Sequence, residues 1–567
     1  MSWGARYADG TTTFRLWAPD RDAVSLEIDG ADGQAMTRSS DGWFTTTAQV
    51  GPGTRYRFRI DVALAVPDPA SRAQAGGVHG WSVVVDPDAY RWRSDGWRGR
   101  PREELVIQEL HVGTLGGFAG VAEALPAIAE LGVTAIELMP VGAFGGTRNW
   151  GYDGVLPYAP AESYGTPDQL KALVDRAHAL GLAVFLDVVY NHFGPDGNYL
   201  GAYAQDFFDA EVDTPWGGAV AVEREPVGRF FIDNALMWLG DYRFDGLRFD
   251  AVHAIRDDAF LDAMAAEIRA TITDRPVHLV LENENNDAER LAPGRYDAQW
   301  NDDFHNVLHV LLTSEDSAYY ADFADHPAER LARCLGEGFI YQGEGSPNHG
   351  GTPRGTPSAH LPPTAFVAFL QNHDQIGNRA MGERLTLLAD PQKLRAATVL
   401  LLLGPQIPLL FMGDETGSET PFLFFTDFQD DLANAVREGR RREFSKFAAF
   451  ADPAARETIP DPNALTTFEH SRVEPGPDAE AWRSLYRDLL AIRHREIIPR
   501  LLGARPLGAE AIGGGAVVAR WRMADAAVLT IAINLGNEPV AFPAVDTPLF
   551  ESGVPGAPAS VRVGLDR

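Results

Sequence analysis

The sequence predicts a multidomain α/β protein, with a central (β/α)8 barrel, an N-terminal β-sandwich and a C-terminal β domain. Three observations predict it. Apolar and polar residues alternate with a period of two along the first part of the chain. Short apolar runs then alternate with amphipathic segments, eight runs in all, and near the end the period of two returns. These changes of rhythm set the expected boundaries at 1–95, 104–495 and 497–567.

In the first region Phe14-Arg15-Leu16-Trp17, Val24-Ser25-Leu26-Glu27-Ile28 and Tyr56-Arg57-Phe58-Arg59-Ile60 read as half-buried strands. Turn residues separate them at Pro19-Asp20, Asp29-Gly30 and Asp41-Gly42, which fits a small antiparallel sandwich. Trp3, Trp17 and Trp43 there are read as core in preference to a sugar platform. In the second region the strand candidates are 105–110, 132–138, 182–189, 244–249, 277–281, 296–300, 365–370 and 407–411. Between the second and third, Leu170, Leu173, Val174, Ala177 and Leu180 recur at steps of three and four. Thr166 and Gln169 form a capping box, Pro167 starts the helix and Gly181 ends it. Eight strands favour a closed barrel over a doubly wound sheet, which has fewer strands and a glycine-rich first turn. The Gly/Pro-rich stretch 343–363 reads as a long barrel loop. A last helix carries Trp482, Leu485, Leu489 and Ile492, and strands follow at 516–521 and 527–534.

Composition narrows the function. The 567 residues are 45% hydrophobic and 23% charged, an ordinary globular balance. With 79 acidic against 49 basic residues the net charge is −30, which argues against nucleic acid and anionic membranes as partners. Cys334 is the sole cysteine, so intramolecular disulfides, CxxC zinc sites and dithiol chemistry are excluded. The start MSWGARYADG has neither a basic segment nor an apolar run, so a cytoplasmic location is expected. The apolar stretch 396–412 is broken by Gly404, Pro405 and Pro408 and reads as a buried helix leading into a buried strand. No HExxH, GxSxG or Walker A lysine is present, and neither a metal nor a cofactor is expected.

The residues just past the strand ends carry the chemistry, because a barrel builds its active face there. They are Asp187 to His192 after the third strand, Arg248, Asp250 and His253 around the end of the fourth, Glu282 to Asn285 after the fifth, and Gln371 to Gln375 after the seventh. Carboxylates thus surround one mouth at Asp250, Glu282 and Asp374. Glycoside cleavage needs such a set, one carboxylate to attack the sugar and one carboxylic acid to protonate the leaving oxygen. Arg248 lies two residues before Asp250, so on a strand both side chains share a face, and a close guanidinium favours an ionised carboxylate. Asp187 reads as structural, bonding loops or Arg248. Glu284 competes with Glu282 for the acid role.

DVVYNH (187–192), DGLRFDAVH (245–253), VHLVLENEN (277–285) and FLQNHD (369–374) resemble the four ordered blocks of the α-amylase glycoside hydrolase family. Within it, VPDPASR (66–72), GVHG (77–80), NWGYDGVLPYAP (149–160), AQWNDDFHN (298–306), LPPTAFVAFLQNHDQIGNRA (361–380) and PFLFFTD (421–427) are similar to the maltooligosyltrehalose trehalohydrolases. The chain departs from the pattern in a shorter loop at 113–120, after TPWG at 214–217, and at 413–420.

The resemblance implies a retaining hydrolase that cuts the α-1,4 bond next to a terminal trehalose. It makes Asp250 the nucleophile, Glu282 the general acid/base and Asp374 the stabiliser of the transition state. Tyr152, His192, Arg248 and His373 match sugar-contacting residues. Loops carrying His253, Asn285, Asp302, Asp303, His305, Gln375 and Asn378 are expected to reach the substrate. A maltooligosyltrehalose synthase is the implied partner enzyme in carbohydrate metabolism. Two alternatives stay open: a glucan branching or debranching enzyme, and a non-catalytic glucan-binding barrel. A pure binder has no need of the three carboxylates together.

Overall fold

The computed structural model describes residues 3–61, 63–214 and 217–566. Pro215 and Trp216 of the TPWG segment lie outside them. The barrel is closed by eight parallel strands in sequence order: β1 (Ile107–Leu110), β2 (Ala135–Leu138), β3 (Ala183–Val188), β4 (Gly246–Phe249), β5 (His278–Leu281), β6 (Ala298–Trp300), β7 (Phe366–Ala368) and β8 (Ile407–Phe411). Each falls inside a run read from the sequence. The strands are shorter than the runs because the flanking apolar residues, such as Val277 and Phe369, stay buried after the ladder has ended. Leu105, Ile107, Ala135, Phe185, Val280, Trp300, Val367 and Leu409 fill the barrel interior.

The helix Pro167–Ala179 shows both hydrogen bonds of its capping box and proline in its first turn. Pro391–Leu403 is a buried helix that leads into β8, as the apolar stretch implied. One structural feature was not legible from periodicity. A hairpin of Gly142–Phe144 and Gly154–Pro160 leaves the barrel after β2 and carries Tyr152 at its turn. Among the described residues no helix is long and apolar enough to cross a membrane.

At the N-terminus two antiparallel sheets face each other. One orders its strands as Arg6–Ala8, Thr11–Trp17, Trp43–Ala48 and Thr37–Arg38. The other centres on Val24–Ile28, Arg55–Ile60 and Trp81–Val83. Phe14, Leu16, Leu26 and Phe58 form their shared core. Trp3, Trp17 and Trp43 are buried, and the Trp3 and Trp43 rings meet edge-on at 4.6 Å. Trp3 also reaches the barrel, donating from its indole to the Pro226 carbonyl at 3.1 Å and packing on Phe230. These tryptophans therefore join the sandwich to the helix Glu225–Gly240 and do not offer a sugar platform. At the C-terminus a five-stranded antiparallel sheet runs in the order Arg505–Gly513, Ala516–Arg522, Val528–Asn534, Ser560–Asp566 and Pro548–Ser552. It packs on the helices Pro327–Glu337 and Pro391–Leu403.

Candidate active site

Asp187 on β3 and Arg248 on β4 are register partners in a parallel ladder, so their side chains share a face and point inward. The Arg248 side chain is only 2% exposed. Its Nη1 lies 2.7 Å from Asp187 Oδ2 and 2.9 Å from Asp250 Oδ1, and its Nη2 lies 2.8 Å from Glu282 Oε2. The guanidinium rests on the Trp300 ring, 4.1 Å from its centroid. One rigid fork thus holds the ends of β4 and β5 together and presents two carboxylates at the mouth, a task the point charge of a lysine does not perform.

Two further donors fix the pair. Asn191 Nδ2 donates to Asp250 Oδ2 at 2.9 Å, and the Ala251 N–H donates to Glu282 Oε2 at 2.9 Å. Ala251 sits at φ 42°, a left-handed conformation that alanine adopts at a cost. This turn aims its N–H at Glu282.

Asp374 stands in the first turn of the short helix His373–Gly377, which Asn372 and Gln375 cap reciprocally. Its carboxylate accepts from Asn378 Nδ2, and its backbone N–H donates to Asn372 Oδ1 at 2.9 Å. His373 is held by Glu109 at the end of β1, through its Nδ1 and through its backbone N–H at 3.0 Å. The His373 ring stacks on Tyr152 with centroids 5.1 Å apart, and the Tyr152 hydroxyl donates to Asp187 Oδ2 at 2.6 Å. Buried His192 bonds the Tyr152 carbonyl at 3.0 Å.

Burial raises the Glu282 carboxyl above the usual carboxylate range. Arg248 opposes the rise, and the Asp250 charge adds to it. Asp374 is raised in the same sense, by burial and then by the Glu282 charge, against the pull of His373. Asp302 is pushed well up by burial and by Glu282 and Asp374, which places its side chain in the same field as the other carboxylates. Asp187 rises to about 7 through burial, against the pull of Arg248. Burial lowers His192 to about 4, so its ring is neutral. Burial also acts to lower His373, but the Glu109 carboxylate outweighs it and raises that ring.

The structure therefore brings Tyr152, His192, Arg248, Asp250, Glu282, Asp302, His373 and Asp374 around one mouth, with Asn378 bonded at its edge. His253 and Asn285 lie beside them on the exits of β4 and β5. His253 Nδ1 accepts from the Glu284 N–H at 3.3 Å, and the Asn285 side chain is exposed.

Three residues of the expected set are engaged elsewhere. Asp303 is fully buried, accepting from Ile340 N at 2.7 Å and Asn286 Nδ2 at 3.0 Å, with Arg354 on its other oxygen at 3.3 Å. His305 is buried and bonds the Leu370 carbonyl at 2.6 Å. The Gln375 side chain caps its own helix by accepting from the Asn372 N–H. Asp303 and His305 follow Asp302 on the helix Asp302–Thr313, where a step of one residue turns Asp303 away from the mouth, while His305, one turn along from Asp302, is taken by its bond to the Leu370 carbonyl.

The sequence assigns no role to Glu109, Asn191 or Glu137. Asn191 sits inside DVVYNH and was available as a motif residue. Glu137 is the register partner of Glu109, is buried, and has both carboxyl oxygens without a hydrogen bond among the described residues. Burial and the charges of Asp187 and Glu109 push it well above the carboxylate range, so it is held neutral.

The loop after the helix Pro327–Glu337 builds a wall of this mouth. Gly355 N donates to the Asn285 carbonyl at 3.0 Å, Thr356 N to that of Asn286 at 3.1 Å, and Arg354 Nε to that of Glu284 at 2.8 Å. Glu284 itself lies 3.0 Å from His349 Nε2 and 3.6 Å from His253 Nε2. This exposed cluster occupies Glu284, while Glu282 faces Arg248.

Comparison with known proteins agrees with this architecture. Residues 84–214 match the model of the alpha amylase catalytic domain, and residues 504–564 match a domain of unknown function, DUF3459. A malto-oligosyltrehalose trehalohydrolase of Deinococcus radiodurans is 42% identical over 504 residues, covering 86% of this chain and 81% of the relative. One from Rhizobium sp. (strain M-11) is 38% identical over 583 residues, covering 96% and 94%. The crystal structure of a putative alpha amylase from Salmonella typhimurium superposes with a TM-score of 0.94 at 46% identity, covering all of both chains. By sequence over most of its length and by fold, the chain belongs to the malto-oligosyltrehalose trehalohydrolase family, whose barrel is that of the α-amylases.

Proposed function

We infer that the chain is a retaining glycoside hydrolase that cleaves the α-1,4-glucosidic bond next to the terminal trehalose of maltooligosyltrehalose, releasing trehalose. The observation that carries the chemistry is the Arg248 fork, with Asp250 at 2.9 Å and Glu282 at 2.8 Å at adjacent strand ends. The names of the relatives, over nearly the whole chain, support the trehalose end.

In this reading Asp250 attacks the anomeric carbon while Glu282 gives its proton to the leaving oxygen of trehalose. The glycosyl ester on Asp250 is then hydrolysed by water that Glu282 deprotonates. Arg248 keeps Asp250 in place for attack. Asp374, His373, His192 and Tyr152 contact the sugar ring at the cleavage point, and Asp374 stabilises its developing charge. The substrate comes from an enzyme that rearranges the last linkage of an α-1,4-glucan to the non-reducing α-1,1 form, a maltooligosyltrehalose synthase, and both act in the cytoplasm.

The raised Glu282 carboxyl has a consequence for pH. The acid acts in its protonated form, so activity falls as pH rises through its pKa. Because burial and Asp250 raise that pKa, the alkaline limb of kcat/KM is expected above about pH 4.3, the ordinary glutamate value. A limb at or below that value contradicts the assignment of Glu282 as acid.

Trehalose bends the chain at its α-1,1 link, and its recognition needs polar groups shaped to that bend. His253 and Asn285, backed by the loop that carries His349 and Arg354, stand where the leaving group departs. A site that pairs its polar groups with substrate hydroxyls rejects a differently shaped end, whose approach leaves them unpaired. The test compares kcat/KM on maltooligosyltrehalose and on a maltooligosaccharide of equal length. The wild type is expected to prefer the trehalose-ended chain and to release trehalose. Asn285→Ala is expected to reduce that preference by roughly tenfold, the worth of one or two such hydrogen bonds. Equal cleavage of both chains by the wild type points to a general α-glucanase, and formation of branches points to a branching enzyme.

A further inference from the structure

The strands' N-terminal ends, opposite the carboxylates, border a second cavity of about 670 Å³. That volume falls within the range of about 300–1,000 Å³ typical of small-molecule sites. It opens where three parts of the chain meet: the segment before β1, the loops before β6 and β7, and the first strand of the C-terminal sheet. Its apolar wall includes Ile272, just past the end of the helix Asp258–Thr271.

The lining is unusual for a chain with a net charge of −30. Arg102, Arg269, Arg275 and Arg505 face Glu103 and Asp297 as the only carboxylates of the lining, with His278 and His360 beside them. Two of these arginines are committed. Arg269 is paired with Asp297 at 2.5 Å, and Arg275 with Asp274 at 3.1 Å and Asp245 at 3.7 Å. The other two are not. Arg102 donates to the Asp297 carbonyl at 2.8 Å, its Glu103 contact is loose at 4.0 Å, and its buried Nε has no hydrogen-bond partner. Arg505 donates to the Ala504 carbonyl at 2.9 Å and has no carboxylate partner among the described residues.

Guanidinium groups left this way at one cavity match the planar, multidentate oxygen set of a phosphate, and they put a local positive field inside a negative molecule. We propose that this cavity is a second ligand site, which binds a small phosphomonoester with its phosphate on Arg102 and Arg505 and its body against Ile272. The site is separate from the glycosidic mouth and does not depend on the reading of that mouth.

The test is calorimetric titration of the full chain with glucose 6-phosphate and with AMP, two phosphomonoesters of different body, against glucose and adenosine at matched ionic strength. Saturable binding of at least one phosphate, absent for its phosphate-free counterpart, is the expected result. Arg505→Glu, at an exposed position, is expected to weaken that binding by about tenfold or more and to leave cleavage of maltooligosyltrehalose unchanged. Arg102→Gln is expected to weaken it similarly. The proposal is overturned if neither phosphate binds, if potassium chloride at equal ionic strength reproduces the heat, or if both variants, folded by circular dichroism, bind as the wild type does.

Discussion

Asp250→Asn is expected to lower kcat on maltooligosyltrehalose by at least about 10⁴-fold while the fold persists. The amide has the size of the carboxylate but does not form the glycosyl ester, and loss of a covalent nucleophile is among the largest single-residue effects in catalysis. Stability is protected by the arrangement around Arg248. With Asp250 neutral, the guanidinium keeps its contacts of 2.7 Å to Asp187 and 2.8 Å to Glu282, so no buried cation is stranded. Circular dichroism melting and a trehalose-release assay check both halves of the expectation. Turnover near the wild-type rate removes Asp250 from the chemistry.

Glu282→Gln is expected to cost roughly 10²- to 10⁴-fold in kcat/KM on the natural substrate, the usual worth of a positioned acid and base. The loss depends on the leaving group. Trehalose leaves as an alcohol and needs a proton, whereas fluoride leaves from α-glucosyl fluoride without one. The first step on the fluoride is therefore expected to be far less impaired, and a burst of fluoride release read with an ion-selective electrode measures it. An equal loss on both substrates assigns Glu282 to binding or structure. The distinction also separates Glu282 from Glu284, which sits at the rim between His253 and His349.

Much of this was legible in the sequence, for identifiable reasons. Each barrel strand is buried on both faces, so it reads as an apolar run, and the helix at Pro167–Ala179 declares both its ends through Thr166, Pro167 and Gly181. Arg248 and Asp250 were readable as a pair because a strand has a period of two. The three carboxylates were readable because Asp250 and Glu282 follow a strand end directly and Asp374 stands on the segment that leaves β7.

Other features depend on contacts that sequence spacing does not encode. Glu109 holds His373 across 264 residues, and β1 meets β8 only because the barrel closes. The DDFHN segment reads as one substrate loop, yet it is the start of a helix. Asp302 is therefore turned to the mouth, while Asp303 anchors Ile340 and His305 bonds Leu370 inside the wall. Gln375 reads as a substrate contact from its motif, but the Asn372 capping box takes its side chain. The arginine-lined cavity draws on residues from 102 to 505 and leaves no local signature.

In the proposed mechanism Arg248 sets one carboxylate to attack and the other to protonate. Trapping the covalent intermediate decides it. The chain is incubated with 5-fluoro-α-glucosyl fluoride, in which the ring fluorine slows both steps while the good fluoride leaving group keeps formation of the ester faster than its breakdown, then digested and read by peptide mass spectrometry. One glycosyl adduct is expected, on the peptide carrying Asp250 and at that residue. An adduct on Glu282 or Asp374, or turnover of the same fluoride to β-glucosyl product with no adduct, contradicts it.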